Sequence, residues 1–272
     1  MSTLLKRCVS VAAEAAKRAG RLQVQRMGRP RTIQTKRHAV DLVTEVDKAS
    51  ERILHEAIRR HFPDHGFQGE ERTRTNPDAP YQWIVDPLDG TTNFVHGMPI
   101  FAVSMGLVYE GQCVAGMIYD ATRQETFAAI RGSGAWLNGR RIHVSRTLTM
   151  SGSLLSTGFS NAFREHPRTY LRWFEQFQSR CHAVRRMGST AISLAYVACG
   201  RQDGFYEIDL WPWDIAAGIV LVEEAGGRIT DFRGKPLTRL DGGQLIASNS
   251  HIHREILATV RVAPAPPPRP PQ

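Results

Sequence analysis

The sequence has no long apolar run and few cysteines, and both shortages exclude whole classes of protein. No stretch of about 18 consecutive apolar residues occurs, so we expect no membrane-spanning helix. The cysteines are far apart and none stands in a Cys-x-x-Cys pair, which argues against a zinc site or a disulfide framework. We expect them to be small core residues in a reducing compartment, and therefore in the cytoplasm. They are Cys8, Cys113, Cys181 and Cys199.

Acidic residues are also in deficit. The chain has 35 Lys and Arg against 26 Asp and Glu, a formal net charge of +9. Such an excess favours an anionic partner, either a nucleic acid or a phosphorylated metabolite. The basic residues are spread along the chain instead of forming one block, which weakens the nucleic-acid interpretation. Hydrophobic residues make up 42% of the 272 residues, enough for one large domain or two closely packed ones.

Apolar periodicity predicts helices and strands in a mixed order. Leu4–Met27 and Lys48–Phe62 carry apolar residues at helical spacing. Charges interrupt the first of these, so we interpret it as an amphipathic helix of the mature protein and not as a signal peptide. Tyr81–Val85 predicts a short strand, and an antiparallel meander follows. Its strands are predicted at Ile100–Val108, Gln112–Tyr119 and Glu125–Ile130.

The pattern changes after about residue 146, where short apolar runs alternate with helical ones. Gly132–Gly139 before this point is predicted to be a loop. Leu154–Thr157 predicts a strand, and the helical runs are Pro167–Ser179, Gly188–Cys199, Trp213–Ala225 and His251–Val260. The alternation predicts a layered α/β fold. We divide the chain into an N-terminal half at 1–145, a C-terminal half at 146–262 and a disordered proline-rich tail at 263–272.

The segment Trp83–Phe94 carries the strongest chemical signal. Pro87 is expected to break the strand and to place Leu88 and Asp89 in a tight turn, so that Asp86 and Asp89 point toward one place. Two close carboxylates repel each other unless a cation or a shared proton lies between them. Oxygen ligands of this kind suit Mg²⁺, Mn²⁺ or Ca²⁺ and not Zn²⁺. The alternative is a turn in which both side chains only accept backbone hydrogen bonds.

Gly90 and Thr91 follow the acidic pair directly. Glycine lets the backbone approach a ligand closely, and if Thr91 and Thr92 open a short helix, its exposed N–H groups form an anion site. A cation site followed at once by an anion site is what phosphate chemistry needs. The alternative is a capped helix that binds nothing.

Three other acidic regions are candidates. Glu70-Glu71 is a weak signal by itself. Asp214 precedes an apolar helical run, where its alternative role is that of a helix N-cap. In the region Asp41–Asp47, Thr44 and Asp47 are spaced as a capping pair for the next helix, and this role is compatible with catalysis.

The sequence resembles the inositol monophosphatase family, most closely its bacterial SuhB-type members, over about residues 4–260. Four segments carry the resemblance: Asp41–Asp47, Gly69–Glu71, Trp83–Phe94 and Trp213–Gly218. The resemblance implies an αβαβα sugar-phosphatase fold, usually as a homodimer. It implies hydrolysis of a small phosphorylated polyol such as inositol-1-phosphate, inhibition by Li⁺, and dependence on two or three Mg²⁺ ions, with Mn²⁺ as a substitute.

The resemblance also implies roles for single residues. The metal ligands would be Glu70, Asp86, the Leu88 carbonyl, Asp89 and Asp214, with Asp86 bridging two ions. Asp47 and Thr91 would orient and deprotonate the attacking water, with Glu70 nearby. The substrate contacts would be Leu88, Asp89, Gly90, Thr91, Arg185, Gly188, Thr190, Glu207 and Asp214, with Lys36 and Glu71 as further candidates. Thr190 departs from the alanine that is common in relatives, which puts the polyol specificity in doubt at this position.

Several alternatives stay open at the level of sequence. The same fold serves phosphatases of fructose-1,6-bisphosphate, histidinol phosphate and 3′-phosphoadenosine 5′-phosphate, and the metal residues do not separate these substrates. No Cys-x5-Arg loop and no phosphoenzyme nucleophile is evident, which favours direct attack by water. A function of another class is a regulatory role in transcription antitermination, with which SuhB-type proteins are associated. The histidines are expected to be structural or at the surface, with His251 and His253 facing solvent.

Overall fold

A computed structural model describes residues 2–35, 42–237, 240 and 243–261 of the chain. Lys36, Asp41 and the proline-rich tail from residue 263, about which the sequence made predictions, lie outside the described residues. None of the described helices has both the length and the apolar character that a membrane crossing requires.

Helices and strands alternate along the described residues. The helices are α1 (Ser2–Arg26), α2 (Glu45–His61), α3 (Thr91–Val95), α4 (Pro167–Gln178), α5 (Thr190–Ala198), α6 (Pro212–Glu224) and α7 (His253–Val260). Short 3₁₀ turns lie at Met150–Gly152 and Asn161–Arg164. The first strands are β1 (Ile33–Thr35), β2 (Leu42–Thr44), β3 (Gly66–Gly69), β4 (Arg74–Thr75), β5 (Tyr81–Asp89), β6 (Ala102–Tyr109), β7 (Gln112–Asp120) and β8 (Glu125–Ile130). The later strands are β9 (Gly134–Leu137), β10 (Arg140–Ile142), β11 (Leu154–Thr157), β12 (Ala183–Arg185), β13 (Gly204–Leu210), β14 (Arg228–Thr230) and β15 (Gly243–Ser248).

The larger sheet has eight strands in the order β10-β9-β8-β7-β6-β5-β3-β4. Its neighbouring strands are antiparallel except β3 and β5, which run parallel. The predicted meander is confirmed as β6, β7 and β8. At the turn between β6 and β7, Glu110 and Gly111 both adopt positive φ angles, 48° and 81°. A two-residue turn of this hand matches the twist of the paired strands.

The loop predicted at Gly132–Gly139 is wrong in part, because the stretch contains β9. Strands β9 and β10 form an antiparallel hairpin. Asn138 and Gly139 close it with φ angles of 49° and 78°. Asn-Gly between apolar residues is a strong hairpin signal, and treating every glycine of this stretch as part of one loop hid it.

The smaller sheet has five strands in the order β12-β11-β13-β15-β14. Strand β11 is parallel to both of its neighbours, whereas β15 is antiparallel to both of its own. The predicted strand at Leu154–Thr157 is confirmed as β11. A separate small sheet pairs β1 with β2. The division of the chain at residue 145 stays a prediction, since the helices between the two sheets contact both.

Five layers stack in the order helix, sheet, helix, sheet, helix. Helices α1 and α2 pack on one face of the larger sheet. Helices α5 and α6 lie between the two sheets and bury the largest apolar cluster with them. Helices α4 and α7 cover the outer face of the smaller sheet. The αβαβα architecture expected from the resemblance is therefore confirmed.

Helix α6 lies close against the larger sheet because two glycines face it. A Cβ atom at Gly106 of β6 would lie 2.5 Å from the Cβ of Ala216. One at Gly116 of β7 would lie 2.4 Å from the carbonyl oxygen of Ala217. Non-bonded carbon atoms need about 3.5–4 Å, so any side chain at either glycine would push the helix away from the sheet.

His253 is buried, contrary to the expectation that it faces solvent. Its ring nitrogens lie 2.8 Å from the Ser248 hydroxyl and 2.9 Å from the Thr230 hydroxyl. Burial lowers the pKa of this imidazole to about 4, so it is neutral at pH 7. Two hydroxyls from neighbouring strands satisfy the ring, which the local pattern of a helix start does not reveal.

Candidate active site

Three carboxylates converge where β5 ends and α6 begins. One oxygen each from Asp86, Asp89 and Asp214 lies within 4.8 Å of the other two. Asp86 and Asp89 are buried, and Asp214 is partly buried. The sequence prediction that the two aspartates of β5 point toward one place is confirmed, and Asp214 joins them from a distant part of the chain.

A bulge in β5 brings Asp86 and Asp89 together. The register with β6 pairs Asp86 with Ser104 and Asp89 with Ala102. Between these two pairs β5 contains one more residue than β6. Residues three apart on a regular strand point to opposite faces, and one extra residue turns them to the same side. Pro87 was expected to break the strand into a tight turn, and this is wrong. A bulge tolerates proline because one residue there makes no ladder hydrogen bond, so β5 continues to Asp89.

Backbone and side-chain hydrogen bonds fix the bulge. The Leu88 N–H donates to Asp86 Oδ1 at 2.9 Å. The Pro87 carbonyl accepts a 2.7 Å hydrogen bond from the side-chain amide of Gln23, a fully buried residue of α1. The amide of Gln23 also donates to the Ser50 hydroxyl of α2 at 3.1 Å. Two helices of the outer layer therefore hold the strand in its irregular shape.

Asp214 is the third residue of α6. Its Oδ2 accepts a 2.7 Å hydrogen bond from the backbone N–H of Trp211, the N-cap residue. The alternative role of Asp214 as the N-cap is therefore wrong. The N-cap lies three residues earlier, because Pro212 is the first residue of the helix. This bond fixes the Asp214 side chain at the start of α6, where one of its oxygens lies within 4.8 Å of oxygens of Asp86 and Asp89.

Ser189 and the first turn of α5 hold Asp89 from the other side. The Ser189 hydroxyl donates to Asp89 Oδ2, and the Ala191 N–H donates to the same oxygen at 2.8 Å. Ser189 is also the N-cap of α5 through its bond from the Ile192 N–H. The resemblance places Ser189 in a stretch that lines the substrate site, but the sequence analysis did not predict its bond to Asp89 or its role as the cap of α5.

The cluster is electrostatically unfavourable without a cation. Burial, with Glu70, Asp89 and Asp214 adding repulsion, raises the pKa of Asp86 well above its ordinary range. Burial also raises the pKa of Asp214, with Asp89 second among the causes. The pKa of Asp89 rises to about 6 by burial, opposed by the hydrogen bonds from Ser189 and Ala191.

These three carboxylates fit a divalent cation. Their oxygens are hard ligands close enough to share an ion, and no nitrogen or sulfur ligand belongs to the set. Such a set suits Mg²⁺, which takes few protein carboxylates and keeps water among its ligands. A bound cation also removes the repulsion that raises the pKa values of the cluster.

Glu70 follows β3 and adds to the acidic cluster. Its backbone N–H donates to the Val85 carbonyl at 3.0 Å, which anchors it beside β5. The negative charge of Glu70 raises the pKa of Asp86 and also that of Asp47. Of the two glutamates that the sequence analysis proposed, Glu70 therefore contributes its charge to the acidic cluster.

Glu71 is held by its backbone. The Glu71 N–H donates to Glu51 Oε2 at 2.7 Å, and the Thr73 N–H donates to Glu51 Oε1 at 3.1 Å. Glu51 is a buried residue of α2, and a Cβ atom at Gly69 would lie 2.1 Å from its carboxylate. The sequence analysis missed Glu51, because a glutamate in a helical pattern is ordinarily exposed. This carboxylate shapes the turn that carries Glu70.

Asp47 joins Thr44 and Thr91 in a buried group. Thr44 and Asp47 form the predicted capping pair, with the Thr44 N–H donating to Asp47 Oδ2 at 2.8 Å. The Thr91 hydroxyl lies 3.0 Å from Asp47 Oδ1 and 3.2 Å from the Leu88 carbonyl. Burial raises the pKa of Asp47, opposed by the two threonine hydroxyls. The structure therefore links Asp47 to the bulge through Thr91.

Gly90 starts α3 in the left-handed conformation, with φ at 97°. A Cβ atom there would lie 2.9 Å from the Ile100 carbonyl oxygen and 3.2 Å from that of Gly188. Among the described residues no side chain caps α3, so the N–H groups of its first turn remain able to bind an anion. The predicted helix start at Thr91 is confirmed, and it lies two residues after Asp89.

Asn93 joins the two ends of the site. Its side-chain amide donates to the Ile100 carbonyl at 2.8 Å and to the Met187 carbonyl at 2.9 Å. Gly188 has a φ of 82° and lies against this amide, where a Cβ atom would be 2.9 Å from Nδ2. The segment before α5 therefore reaches α3, and Gly188 faces the same place as Gly90.

Glu207 and Thr190 lie beside the carboxylate cluster. Glu207 of β13 is 8% exposed and accepts a 2.9 Å hydrogen bond from the Thr190 hydroxyl. Burial raises the pKa of Glu207 to about 8, opposed mainly by that hydroxyl. Arg185 is exposed and donates only to the adjacent Val184 carbonyl among the described contacts, so the structure does not bring it to the carboxylates.

The model of the inositol monophosphatase family matches residues 4–265. A Pseudomonas aeruginosa protein named Nus factor SuhB is 41% identical over 261 residues, which covers 93% of this chain and 95% of the relative. An inositol-1-monophosphatase of Synechocystis sp. is 41% identical over 264 residues, which covers 96% of this chain and 91% of the relative.

Two solved structures are similar to this chain over most of its length. The extragenic suppressor protein suhB from Bartonella henselae has a TM-score of 0.88 at 39% identity, covering 94% of this chain and 98% of its own. An IMPase/NADP phosphatase solved in complex with Mg²⁺ and phosphate has a TM-score of 0.75 at 28% identity, covering 84% and 85% of the two chains.

Proposed function

The chain belongs to the inositol monophosphatase family of phosphoric monoester hydrolases, and we propose that it hydrolyses inositol-1-phosphate in a Mg²⁺-dependent reaction. The observation that carries this proposal is the convergence of Asp86, Asp89 and Asp214 directly beside the uncapped start of α3. A cation site next to an anion site is the arrangement that phosphate ester hydrolysis needs.

We propose that two or three Mg²⁺ ions are held by Glu70, Asp86, the Leu88 carbonyl, Asp89 and Asp214, with Mn²⁺ as a substitute. The hard oxygen donors support this assignment, as does the Mg²⁺ in the related IMPase/NADP phosphatase. When bound, the ions would offset charge on the phosphate ester and lower the pKa of water in the site. The same proposal includes inhibition by Li⁺.

The attacking water would be handled by Thr91 and Asp47. Because the Thr91 hydroxyl donates toward Asp47 Oδ1, its lone pairs point elsewhere and can accept a hydrogen bond from water. A raised pKa makes the Asp47 carboxylate a better acceptor for the proton that the water gives up. The new bond from water oxygen to phosphorus forms as the bond to the alcohol oxygen breaks, and the alcohol takes a proton from solvent. Glu70 would assist the same proton transfer, since its charge raises the pKa of Asp47.

The substrate would lie between the two halves. The backbone N–H groups of Gly90 and Thr91 would hold the phosphate, whereas Gly188, Thr190 and Glu207 would face the alcohol. Leu88, Asp89 and Asp214 border the same space through the bulge and α6. Arg185, Lys36 and Glu71 remain candidates at the edge of the site. The name of the Synechocystis relative supports inositol-1-phosphate over the sugar, histidinol and nucleotide phosphates.

A phosphate-release panel tests this proposal. Inositol-1-phosphate is compared with fructose-1,6-bisphosphate, histidinol phosphate and 3′-phosphoadenosine 5′-phosphate, each with Mg²⁺ and with EDTA. We expect the highest kcat/KM for inositol-1-phosphate and no turnover in EDTA. Undiminished turnover in EDTA would exclude the metal-dependent reaction, and a higher kcat/KM for another ester would replace the substrate.

Asp214→Asn is the sharpest variant for the same test. The amide oxygen still accepts from the Trp211 N–H, but the negative charge is gone. We expect kcat to fall on the order of 10²–10³, as it does when one preorganised charge-stabilising group is removed. Asp231→Asn is the matched control, since among the described residues the hydrogen bonds to the Asp231 carboxylate come from backbone N–H groups of its own turn.

A second candidate function rests on the name of the Pseudomonas aeruginosa relative, Nus factor SuhB. We propose that this chain, with its net charge of +9, also binds proteins of a transcription antitermination complex, as a cytoplasmic homodimer. A pull-down with purified transcription factors tests the binding, and light scattering tests the dimer. Binding that survives Asp214→Asn would be independent of catalysis, and no binding by the wild type would remove this candidate.

A further inference from the structure

Thr190 connects the acidic cluster with Glu207. Its hydroxyl donates to Glu207 Oε2 at 2.9 Å, and its backbone N–H lies 3.4 Å from Asp89 Oδ1. Thr190 is the first residue of α5, directly after the N-cap Ser189. The cap holds the start of the helix, so the Thr190 hydroxyl has a defined position relative to both carboxylates.

The hydroxyl is used in an unusual way for a helix start. A serine or threonine in a helix ordinarily bonds its own backbone within four residues. The Thr190 hydroxyl instead reaches Glu207 on β13, an element of the smaller sheet. The contact joins the middle helical layer to the strand that faces the alcohol side of the site.

The opposite side of Glu207 is confined by Gly158. A Cβ atom at Gly158 would lie 1.8 Å from Glu207 Oε1, so any larger residue here would displace this carboxylate. The Gly158 backbone is not left-handed, and glycine is therefore required by space and not by conformation. Gly158 makes room for the Glu207 carboxylate on one side, and the Thr190 hydroxyl holds it on the other.

A carboxylate in a fixed orientation is a selective acceptor. Each carboxylate oxygen has two lone pairs, and Thr190 occupies one of those on Oε2. The remaining lone pairs then have fixed directions, so they match hydroxyl groups at particular positions of a substrate alcohol. Preorganisation of this kind improves binding because the side chain loses no freedom when the ligand arrives.

We propose that Thr190 is a specificity-determining residue, which positions the Glu207 carboxylate to accept hydrogen bonds from hydroxyl groups of the substrate alcohol. The inference rests on the proposed phosphatase function and deepens it, because it names the residue that orients Glu207 toward the substrate alcohol. Thr190 acts through Glu207 and is a positioning residue, not a catalytic one.

Two variants and two esters test the proposal. Thr190→Val removes the hydroxyl and keeps the shape, whereas Thr190→Ser keeps the hydroxyl. Inositol-1-phosphate offers ring hydroxyls to Glu207, and 4-nitrophenyl phosphate offers none. For each protein, kcat and KM are measured for both esters in Mg²⁺, and the ratio of the two kcat/KM values is compared.

In Thr190→Val we expect the ratio of the kcat/KM for inositol-1-phosphate to that for 4-nitrophenyl phosphate to fall about tenfold, the worth of one hydrogen bond. The fall should lie in KM for inositol-1-phosphate, because positioning of Glu207 affects binding of the alcohol and not the reacting phosphate. Thr190→Ser should restore most of the ratio.

Three outcomes would overturn the inference. The first is an equal ratio in Thr190→Val and the wild type. The second is an equal fall for both esters, which would mean that the substitution damages the site through Asp89. The third is a wild type that hydrolyses both esters equally well, since the phosphatase activity would then stand without polyol selectivity. If the wild type releases phosphate from neither ester, the proposed function itself is wrong.

Discussion

Gly90→Ala tests whether the start of α3 depends on a glycine that no other residue can replace. Gly90 has a φ of 97°, and left-handed backbone costs an L-residue about 1–2 kcal/mol. The added Cβ atom would also lie 2.9 Å from the Ile100 carbonyl oxygen and 3.2 Å from that of Gly188. Overpacking against backbone costs about 1–3 kcal/mol more, so the free energy of unfolding should fall by about 2–5 kcal/mol.

Thermal unfolding followed by circular dichroism measures this change. For a chain of this size each kcal/mol shifts Tm by about 2–4 °C, so we expect Gly90→Ala to unfold about 4–20 °C below the wild type. Gly111→Ala is the matched control. Gly111 is also left-handed, with φ at 81°, but no atom lies within 4 Å of its added Cβ. Its Tm should therefore fall only by the backbone part, about 2–8 °C, and it should keep its phosphatase activity.

The difference between the two variants is the contribution of the close approach. If Gly90→Ala and Gly111→Ala unfold at the same temperature, the two carbonyl oxygens contribute nothing and the reasoning is refuted. Gly90→Ala should also lose turnover, because relief of the contact moves the first turn of α3 away from Asp89. Wild-type turnover in Gly90→Ala would separate the phosphate site from this turn.

Three other predictions concern the carboxylates and their supports. Ser189→Ala removes a hydrogen bond to Asp89 and the cap of α5, so the free energy of unfolding should fall by about 1 kcal/mol, measured as a lower Tm. The Kd for Mg²⁺, measured by calorimetry, should rise about tenfold. Ser189→Thr, which keeps the hydroxyl, is the control. Glu51→Ala leaves the N–H groups of Glu71 and Thr73 without their acceptor, and denaturant unfolding should show a loss of about 2–3 kcal/mol; an unchanged midpoint would contradict the role of this carboxylate. The raised pKa values of the aspartate cluster mean that the folded metal-free protein binds more protons than the unfolded chain, so its stability should fall as the pH rises from about 4 to about 6 and beyond. Added Mg²⁺ should therefore raise Tm more at pH 7.5 than at pH 5, and an equal gain at both pH values would contradict the cluster as the binding site.

Local chemistry was predictable from the sequence. The capping pair of Thr44 and Asp47 and the helix start at Thr91 depend on residues within one turn of each other, and the structure confirms both. The convergence of Asp86 with Asp89 was also predicted, but for the wrong reason. A bulge and a turn both bring residues three apart to one side, and only the register with β6 distinguishes them.

Partners that are distant in sequence could not be predicted. Ser189 is an ordinary helix cap until the fold brings Asp89 to it. Glu51 has the periodicity of an apolar helix face, and nothing in that pattern indicates that it binds the backbone of the turn after β3. His253 was wrong for the same reason, since its partners Ser248 and Thr230 come from two strands of the smaller sheet.

The glycines beneath α6 set the geometry of a site that they do not touch. Gly106 and Gly116 determine how closely α6 approaches the sheet, and Asp214 is the third residue of that helix. A methyl group at either glycine would displace Asp214 from Asp86 and Asp89 while the protein still folds. In a screen that measures activity alone, substitutions of Gly106 would look like substitutions of the metal ligands. Gly106 acts only by setting the distance between α6 and the sheet.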